Sequence, residues 1–442
     1  MRNHFIRITF LTVLLFGSSM ASGVIAYYGL PWYYHLIAGA VFAVCNVIPS
    51  VVKRPSIKLR ILSDGTDLLC AFLALLFVDT AFVLSMSIAV FGMFSTMFWN
   101  YVILMLFAEN TVFWNGIIRV YCTGTMIGMK WRLIGLFCGM MPIVNIIVLL
   151  KIISLGRMEV DGEEQREKRD RERHDDRVCA TKYPLLLVHG VFFRDLEKFN
   201  YWGRVPEELI RNGATIYYGE QQSALNIEDS AKELARRIKE VIDETGSEKL
   251  NIIAHSKGGL DSRYALSVLG CDQYVASLTT INTPHRGCAF ADWLLDTAPE
   301  GLRQKLAFAY NTGAAVAGDT SPDFLAAVND LRATRCKEFN EKVINCPGVY
   351  YQSVGSKINK PMRNVFPLNF SYLFAKTFDG DNDGLVAVKS AEWGDNFTYL
   401  KSRAPDGLSH ADMIDLMRRD KPDFDVREFY VQLVSDLKAK GF

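Results

Sequence analysis

The first third of this chain is a succession of apolar runs, more than a water-soluble fold buries one after another. Phe5 to Tyr28 and Trp32 to Val52 follow each other almost directly and read as a hairpin of two membrane-spanning helices. Asp67 to Ala108 is long enough for two more, with Asp79 the only charge between its ends. Leu133 to Ile153 makes a fifth, weakened by Pro142 and Asn145. Arg2 and Arg7 ahead of the first run also suit a signal peptide, but no convincing small-residue cleavage site follows and the second run comes at once. Residues 1–156 are therefore expected to form an all-α, multi-pass transmembrane region whose partner is the bilayer.

Basic residues orient these spans. Lys53, Arg54, Lys58 and Arg60 lie between the second and third runs, and with Arg2 and Arg7 they mark cytoplasmic ends. Thr111 to Met129 carries Arg119 and several polar residues, so it reads as an interfacial segment. That count gives five spans in the cell membrane and leaves the rest of the chain on the extracytoplasmic side. Counting Thr111 to Met129 as a span reverses the side.

Beyond residue 156 the composition becomes that of an ordinary soluble domain, and 442 residues suffice for two domains. The formal net charge of +1 gives no electrostatic reason to expect a nucleic-acid partner. Nine cysteines show no paired spacing of the zinc or redox kind. Cys336 and Cys346 are expected as unpaired buried thiols, although an oxidising compartment would let them bridge. Residues 157–180 read as a charged linker. Glu159 to Arg177 interleaves acids and bases with almost no apolar residues, which suits a solvated helix or a disordered tether.

Residues 181–442 alternate between strand and helix signals. Pro184 to Val188 is a continuous apolar run opening into His189-Gly190, as a buried parallel strand does. Ala214 to Tyr218, Leu250 to Ala254, Ala276 to Ile281, Val349 to Val354 and Phe397 to Leu400 read as further strands. Asp229 to Gly246 repeats apolar residues at helical spacing and ends on a capping glycine. The expected fold class is α/β: a mainly parallel sheet with helices on both faces, where ligands sit at the carboxyl ends of the strands.

One such end is Ala254-His255-Ser256-Lys257-Gly258-Gly259, a serine among small residues between a strand and a helix. That is the pattern of a turn that presents a nucleophile. With Leu187-Val188-His189-Gly190, Asn200-Tyr201-Trp202, Asn282-Thr283-Pro284-His285-Arg286-Gly287 and Asn382-Asp383-Gly384-Leu385-Val386, it resembles the bacterial triacylglycerol lipases of the α/β-hydrolase fold. The likeness runs from about Tyr183 to Asp415, with Ala254 in place of the elbow's first glycine.

In that fold the triad runs nucleophile, acid, histidine along the chain. Of seven histidines, His4 and His35 belong to the membrane region, His174 to the tether, and His189 and His255 to other motifs. His285 precedes any acid after a later strand, which leaves His410. Asp379, Asp381, Asp383 and Asp395 compete for the acid, and the resemblance selects Asp383. It further implies an oxyanion hole from the backbone N–H groups of Val191 and Lys257, with the Lys257 side chain turned to solvent or to an acidic neighbour. Phe192 and Phe193 would line the acyl pocket.

The stretch from about 288 to 348 is where such lipases place a mobile cap, and Gly313 and Gly318 suit a hinge. No cofactor is required by this reading. Asp379 to Gly384 imitates the start of a calcium loop, but the twelfth position, which calls for glutamate, is Ser390. The resemblance also brings a structural calcium near the histidine loop, with Asp412 at one ligand position and no further ligands evident. The expected function is a membrane-anchored serine hydrolase acting on carboxylic esters of lipids, a triacylglycerol lipase or esterase working through an acyl-enzyme. A phospholipase or acyltransferase would use the same triad, and a non-catalytic receptor or scaffold is the reading from another class. The oligomeric state is not encoded in any of these patterns.

Overall fold

The computed structural model describes residues 2–48, 54–139, 141–191, 201–316, 319–320, 322–360, 372, 376–377, 380–421 and 423–442. The chain divides into two compact units, Met1–Arg169 and Asp170–Phe442.

The first unit is helical: α1 (Arg2–Tyr27), α2 (Tyr33–Val47), α3 (Ile57–Met86), α4 (Thr96–Thr123), α5 (Gly128–Cys138) and most of α6 (Pro142–Glu172). Among the described residues, three helical stretches are long and apolar enough to cross a membrane: His4–Tyr27, Ile57–Val90 and Thr96–Thr123. α2 has 15 residues and α5 has 11, too short to span alone.

Two expectations change here. The break within the long third run falls at Gly92, whose φ of 82° turns the chain before Ser95 caps α4 through Phe98 N at 3.1 Å. α4 then runs straight through Thr111 to Thr123, the segment expected at the interface. Its polar side chains bond back to the helix or onto α2: Thr111 Oγ1 to Phe107 O at 2.7 Å, Arg119 Nη2 to Val47 O at 2.6 Å. The expected fifth span is likewise divided, because Pro142 opens α6 where its missing N–H costs nothing.

The ends of these helices gather around an ionic cluster. Arg7 of α1 pairs with Asp64 and, at 3.0 Å, with Asp67 of α3; Arg157 of α6 lies 3.6 Å from Asp67. Arg54 pairs with Glu164, and Glu159 accepts from the N–H groups of Thr125 and Met126 at 3.0 and 2.8 Å, just beyond α4. α6 continues unbroken into the charged stretch, so the expected linker is helical as far as Glu172, and the boundary between units falls inside it.

The second unit is built on a sheet of strands β1 (Leu185–Val188), β2 (Ile216–Tyr218), β3 (Leu250–His255), β4 (Val275–Ile281), β5 (Tyr350–Gly355) and β6 (Asn396–Tyr399). Among the described residues the order is β2-β1-β3-β4-β5-β6, and every pairing is parallel. Strand residues alternate between two apolar layers. Leu185, Leu187 and Ile253 pack with α7 (Val205–Arg211) and the C-terminal helix Val426–Ala439. Leu186, Val188, Ile252 and Ala254 pack on α8 (Ile227–Thr245) and α9 (Lys257–Ser267). α8 begins where Asn226 caps Asp229 N at 2.8 Å and ends on left-handed Gly246. Residues of the expected cap form α10 (Ala289–Asp296), α11 (Glu300–Val316), α12 (Phe324–Asn329) and α13 (Ala333–Lys342). Gly313 lies inside α11, and Gly318 is outside the described residues. Cys336 and Cys346 are free thiols, Cys336 buried and Cys346 half-buried.

Candidate active site

β3 ends at His255, and the chain turns so sharply into α9 that Ser256 takes φ 56° and ψ −131°, a conformation that side chains rarely adopt. Neighbouring glycines make this turn possible. A Cβ at Gly190 would lie 2.7 Å from Ser256 Cβ, and one at Gly258 would lie 2.3 Å from His189 O. Ala254 takes the place of the elbow's first glycine without such a conflict, because its methyl points into the apolar layer under α8. The strain therefore sits at Ser256, at the carboxyl end of the sheet.

Two loops at that same end bring His410 and Asp383 together. His410 Nδ1 lies 2.6 Å from Asp383 Oδ2, and His410 N donates to Asp383 O at 2.8 Å. A carboxylate only accepts, so Nδ1 carries the proton and Nε2 is left as the basic nitrogen. Asp383 Oδ1 is in turn fixed by the N–H groups of Leu385 and Val386 at 2.9 and 2.7 Å. Asp383 is thus singled out from its rivals: Asp381 pairs with Lys357 at 2.9 Å, and Asp395 accepts from Tyr351 N at 3.3 Å. Asp379 lies outside the described residues. Asp381 and Asp383 are engaged by different partners, so they do not converge as calcium ligands. Among the described residues no group of three or more acidic, His or Cys side chains is placed to hold a metal.

Among the described residues no hydrogen bond joins Ser256 Oγ to His410; such bonds are often loose without substrate. What ties the two together is His255. Its ring lies 4.4 Å from that of His410, and Tyr201 Oη is 2.7 Å from its Nδ1. Burial pushes the His255 pKa well below its ordinary value, and a charge on His410 pushes it the same way, so the ring stays neutral. The sequence offered no role for this pair, although Tyr201 and His255 both stand in the quoted motifs.

Lys257 opens α9, where its N–H has no acceptor within the helix. Its side chain is buried, not solvated: Nζ contacts Asp261 Oδ1 at 2.8 Å and Ser230 Oγ at 2.8 Å. Burial raises Asp261 to about 7, against the pull of Lys257. Val191 is buried against Leu294, Phe324 and other residues of the insertion helices. Phe192 and Phe193 fall outside the described residues. His189 and His285 are fully buried and structural, His189 held by Gln221 O at 2.8 Å and His285 stacked 5.2 Å from Trp393. A cavity of about 700 Å³ is lined by Arg286, Cys288, Trp293, Thr297 and Ala387, and neither Ser256 nor His410 lines it.

Strained serine, parallel sheet and His–Asp pair in this chain order define an α/β-hydrolase. No family model matches the chain. It is 37% identical over 180 residues to a triacylglycerol lipase of Pseudarthrobacter phenanthrenivorans, covering 37% of this chain and 55% of that one. It is 30% identical over 238 residues to a triacylglycerol lipase of Vibrio cholerae, covering 48% of this chain and 75% of that one. A crystal structure of a Bacillus licheniformis lipase in its mature form superposes with a TM-score of 0.43 at 23% identity, covering 54% of this chain and 88% of that chain. The chain belongs to the triacylglycerol lipase family. It spans about half the length of the curated relatives that it matches at 37% identity.

Proposed function

We propose that this chain is a membrane-anchored serine hydrolase that cleaves carboxylic esters of lipids, acylglycerols first among them. The observation that carries this reading is the strained Ser256 at the sheet's carboxyl end, with the His410–Asp383 pair on loops of the same end. The curated relatives named triacylglycerol lipase support the substrate class.

In this reaction Ser256 Oγ attacks the ester carbonyl while its proton passes to His410 Nε2. The N–H groups of Val191 and Lys257 hold the oxyanion, and Asp383 stabilises the imidazolium without itself taking the proton. The tetrahedral species collapses, and the departing alcohol takes the proton from Nε2. Water then attacks the acyl-enzyme by the same route, releasing the carboxylic acid and restoring Ser256. Exchanging Ser256 for alanine should lower triolein turnover by roughly a millionfold in kcat. Undiminished turnover in that variant would end the assignment. Preference for phosphatidylcholine over triolein in the unaltered chain would move the substrate to phospholipids while leaving the triad in place.

The apolar helices α1, α3 and α4 support the membrane anchor. The ionic cluster of the helical unit supports the opposite side to the one expected from the sequence. Five spans and an extracytoplasmic hydrolase rested on Leu133–Ile153 as a single fifth span, whereas α5 ends at Cys138 and α6 begins at Pro142, and α4 carries Thr111–Thr123 as part of the fourth span. The cluster around Arg7, Arg54, Asp67, Arg157 and Glu164 puts the start of α1, the start of α3 and the outgoing part of α6 at one end. α6 therefore leaves the helical unit on the side of the N-terminal arginines, cytoplasmic under the positive-inside rule. Protease added outside intact cells should leave residues 173–182 uncut; cleavage there would restore the extracytoplasmic placement.

A further inference from the structure

His410 is presented by a loop whose two ends carry carboxylates, Asp406 before it and Asp412 after it. Both reach the same ammonium group: Lys421 Nζ lies 2.6 Å from Asp406 Oδ2 and 3.0 Å from Asp412 Oδ2. The lysine is nearly buried, with 11% of its side chain exposed. Asp412 is oriented further by Ser409, whose N–H and Oγ donate to Asp412 Oδ2 at 2.8 and 2.7 Å. Lys421 has its own foundation, since its backbone pairs with Phe424, and Asp423 accepts from Ser402 Oγ at 2.7 Å. The far end of the loop is held independently by Arg204 on Asp415, at 2.7 Å, and by Tyr430 Oη on Met413 O, at 2.9 Å.

Resting on the triad reading above, we propose that Lys421 is the positioning residue of the histidine loop: a built-in cation that clips Asp406 to Asp412 and fills the place a divalent ion would take. Calcium needs six to eight oxygen ligands at 2.3–2.6 Å. Here the Asp412 oxygen that would serve as ligand already receives Ser409 and Lys421, and no acidic trio converges among the described residues. The residues therefore do not fit the structural calcium that the family resemblance implies at Asp412. A fixed lysine instead makes the register of His410 independent of the metal content of the medium.

The test uses the full chain in detergent, with ester hydrolysis and thermal melting measured in EDTA and in millimolar calcium. The unaltered chain should show the same kcat/KM and the same melting midpoint in both. Lys421→Ala leaves two facing carboxylates without their cation, and a loop displaced by about 1 Å should lose roughly a hundredfold in kcat/KM. Calcium should return part of that loss and raise the variant's melting midpoint, and Lys421→Arg should retain most of the activity. Should Lys421→Ala not accumulate as folded protein, Lys421→Met, which keeps the bulk of the stem, replaces it. Chelation that inactivates the unaltered chain, with recovery on adding calcium, would overturn the proposal, as would a Lys421→Ala enzyme equal to the original. Fluorophosphonate labelling of the unaltered chain separates the two readings: an unreactive Ser256 counts against the hydrolase, whereas the melting shifts are read without turnover.

Discussion

In the helical unit Phe77, Ile88 and Ile143 are each 78% exposed, while Asp67 and Asp79 are fully buried. In the hydrolase unit Trp202, Ile253 and Leu260 are fully buried, while charged pairs such as Lys232 with Asp229 stand in solvent. On the membrane reading proposed above, the difference reflects the medium that each unit faces. Apolar side chains facing outward gain nothing in water, but in hydrocarbon they are at no disadvantage, and helices there are held by close packing and interior polar contacts. Removal of an interior group should therefore act through different physics in the two units.

The largest expected effect is chemical and confined to the hydrolase unit. Asp383→Asn should preserve the fold but favour the wrong His410 tautomer, lowering ester turnover by about 10⁴-fold in kcat. A loss below tenfold would remove Asp383 from the triad. Next come the two interiors. Asp67→Leu removes the carboxylate shared by Arg7 and Arg157, while Arg7 keeps Asp64, and should cost about 1–3 kcal/mol, read from melting in detergent. Ile253→Ala should cost about 2–5 kcal/mol through a cavity in the apolar layer beneath α7 and the C-terminal helix, with no charge stranded. The comparison breaks if Asp67→Leu is neutral, because the ionic cluster would then be ornamental.

The smallest effect is a dependence on pH in the hydrolase unit. His255 and His285 are fully buried, and burial holds both well below their ordinary pKa, with His410 or Arg263 adding to it. Below about pH 6.5 the unfolded chain binds protons that the folded chain refuses, so stability falls with pH. Each histidine contributes a slope of up to about 1.4 kcal/mol per pH unit, fully expressed only below the unfolded value. Melting between pH 7.5 and 5 should show this slope, and His285→Asn should reduce it. A flat midpoint would contradict the burial argument.

Much of the hydrolase was legible in the sequence because buried parallel strands are rich in apolar residues: β1 is a continuous apolar run, and β3 and β4 are fully buried with few polar interruptions. The strand–serine–helix pattern picked out Ser256, and chain order picked out His410. Asp383 did not follow from spacing, since Asp381 and Asp395 lie equally near, and only their separate partners distinguish them. The helical unit was harder to divide. Thr111 and Arg119 look like interface residues in sequence, yet bonding to their own helix or to α2 lets α4 carry them. Lys421 was invisible for another reason. Its partners are 15 and 9 residues away, and nothing in its neighbourhood marks it as buried.

The central claim is that Ser256 is a nucleophile primed by His410. The most direct measurement treats the full chain with a fluorophosphonate and locates the adduct by peptide mass spectrometry, with His410→Ala alongside. The account predicts one equivalent of label on Ser256 in the unaltered chain and very slow labelling in the variant. Absence of label at Ser256, or labelling that His410→Ala leaves unchanged, would contradict it.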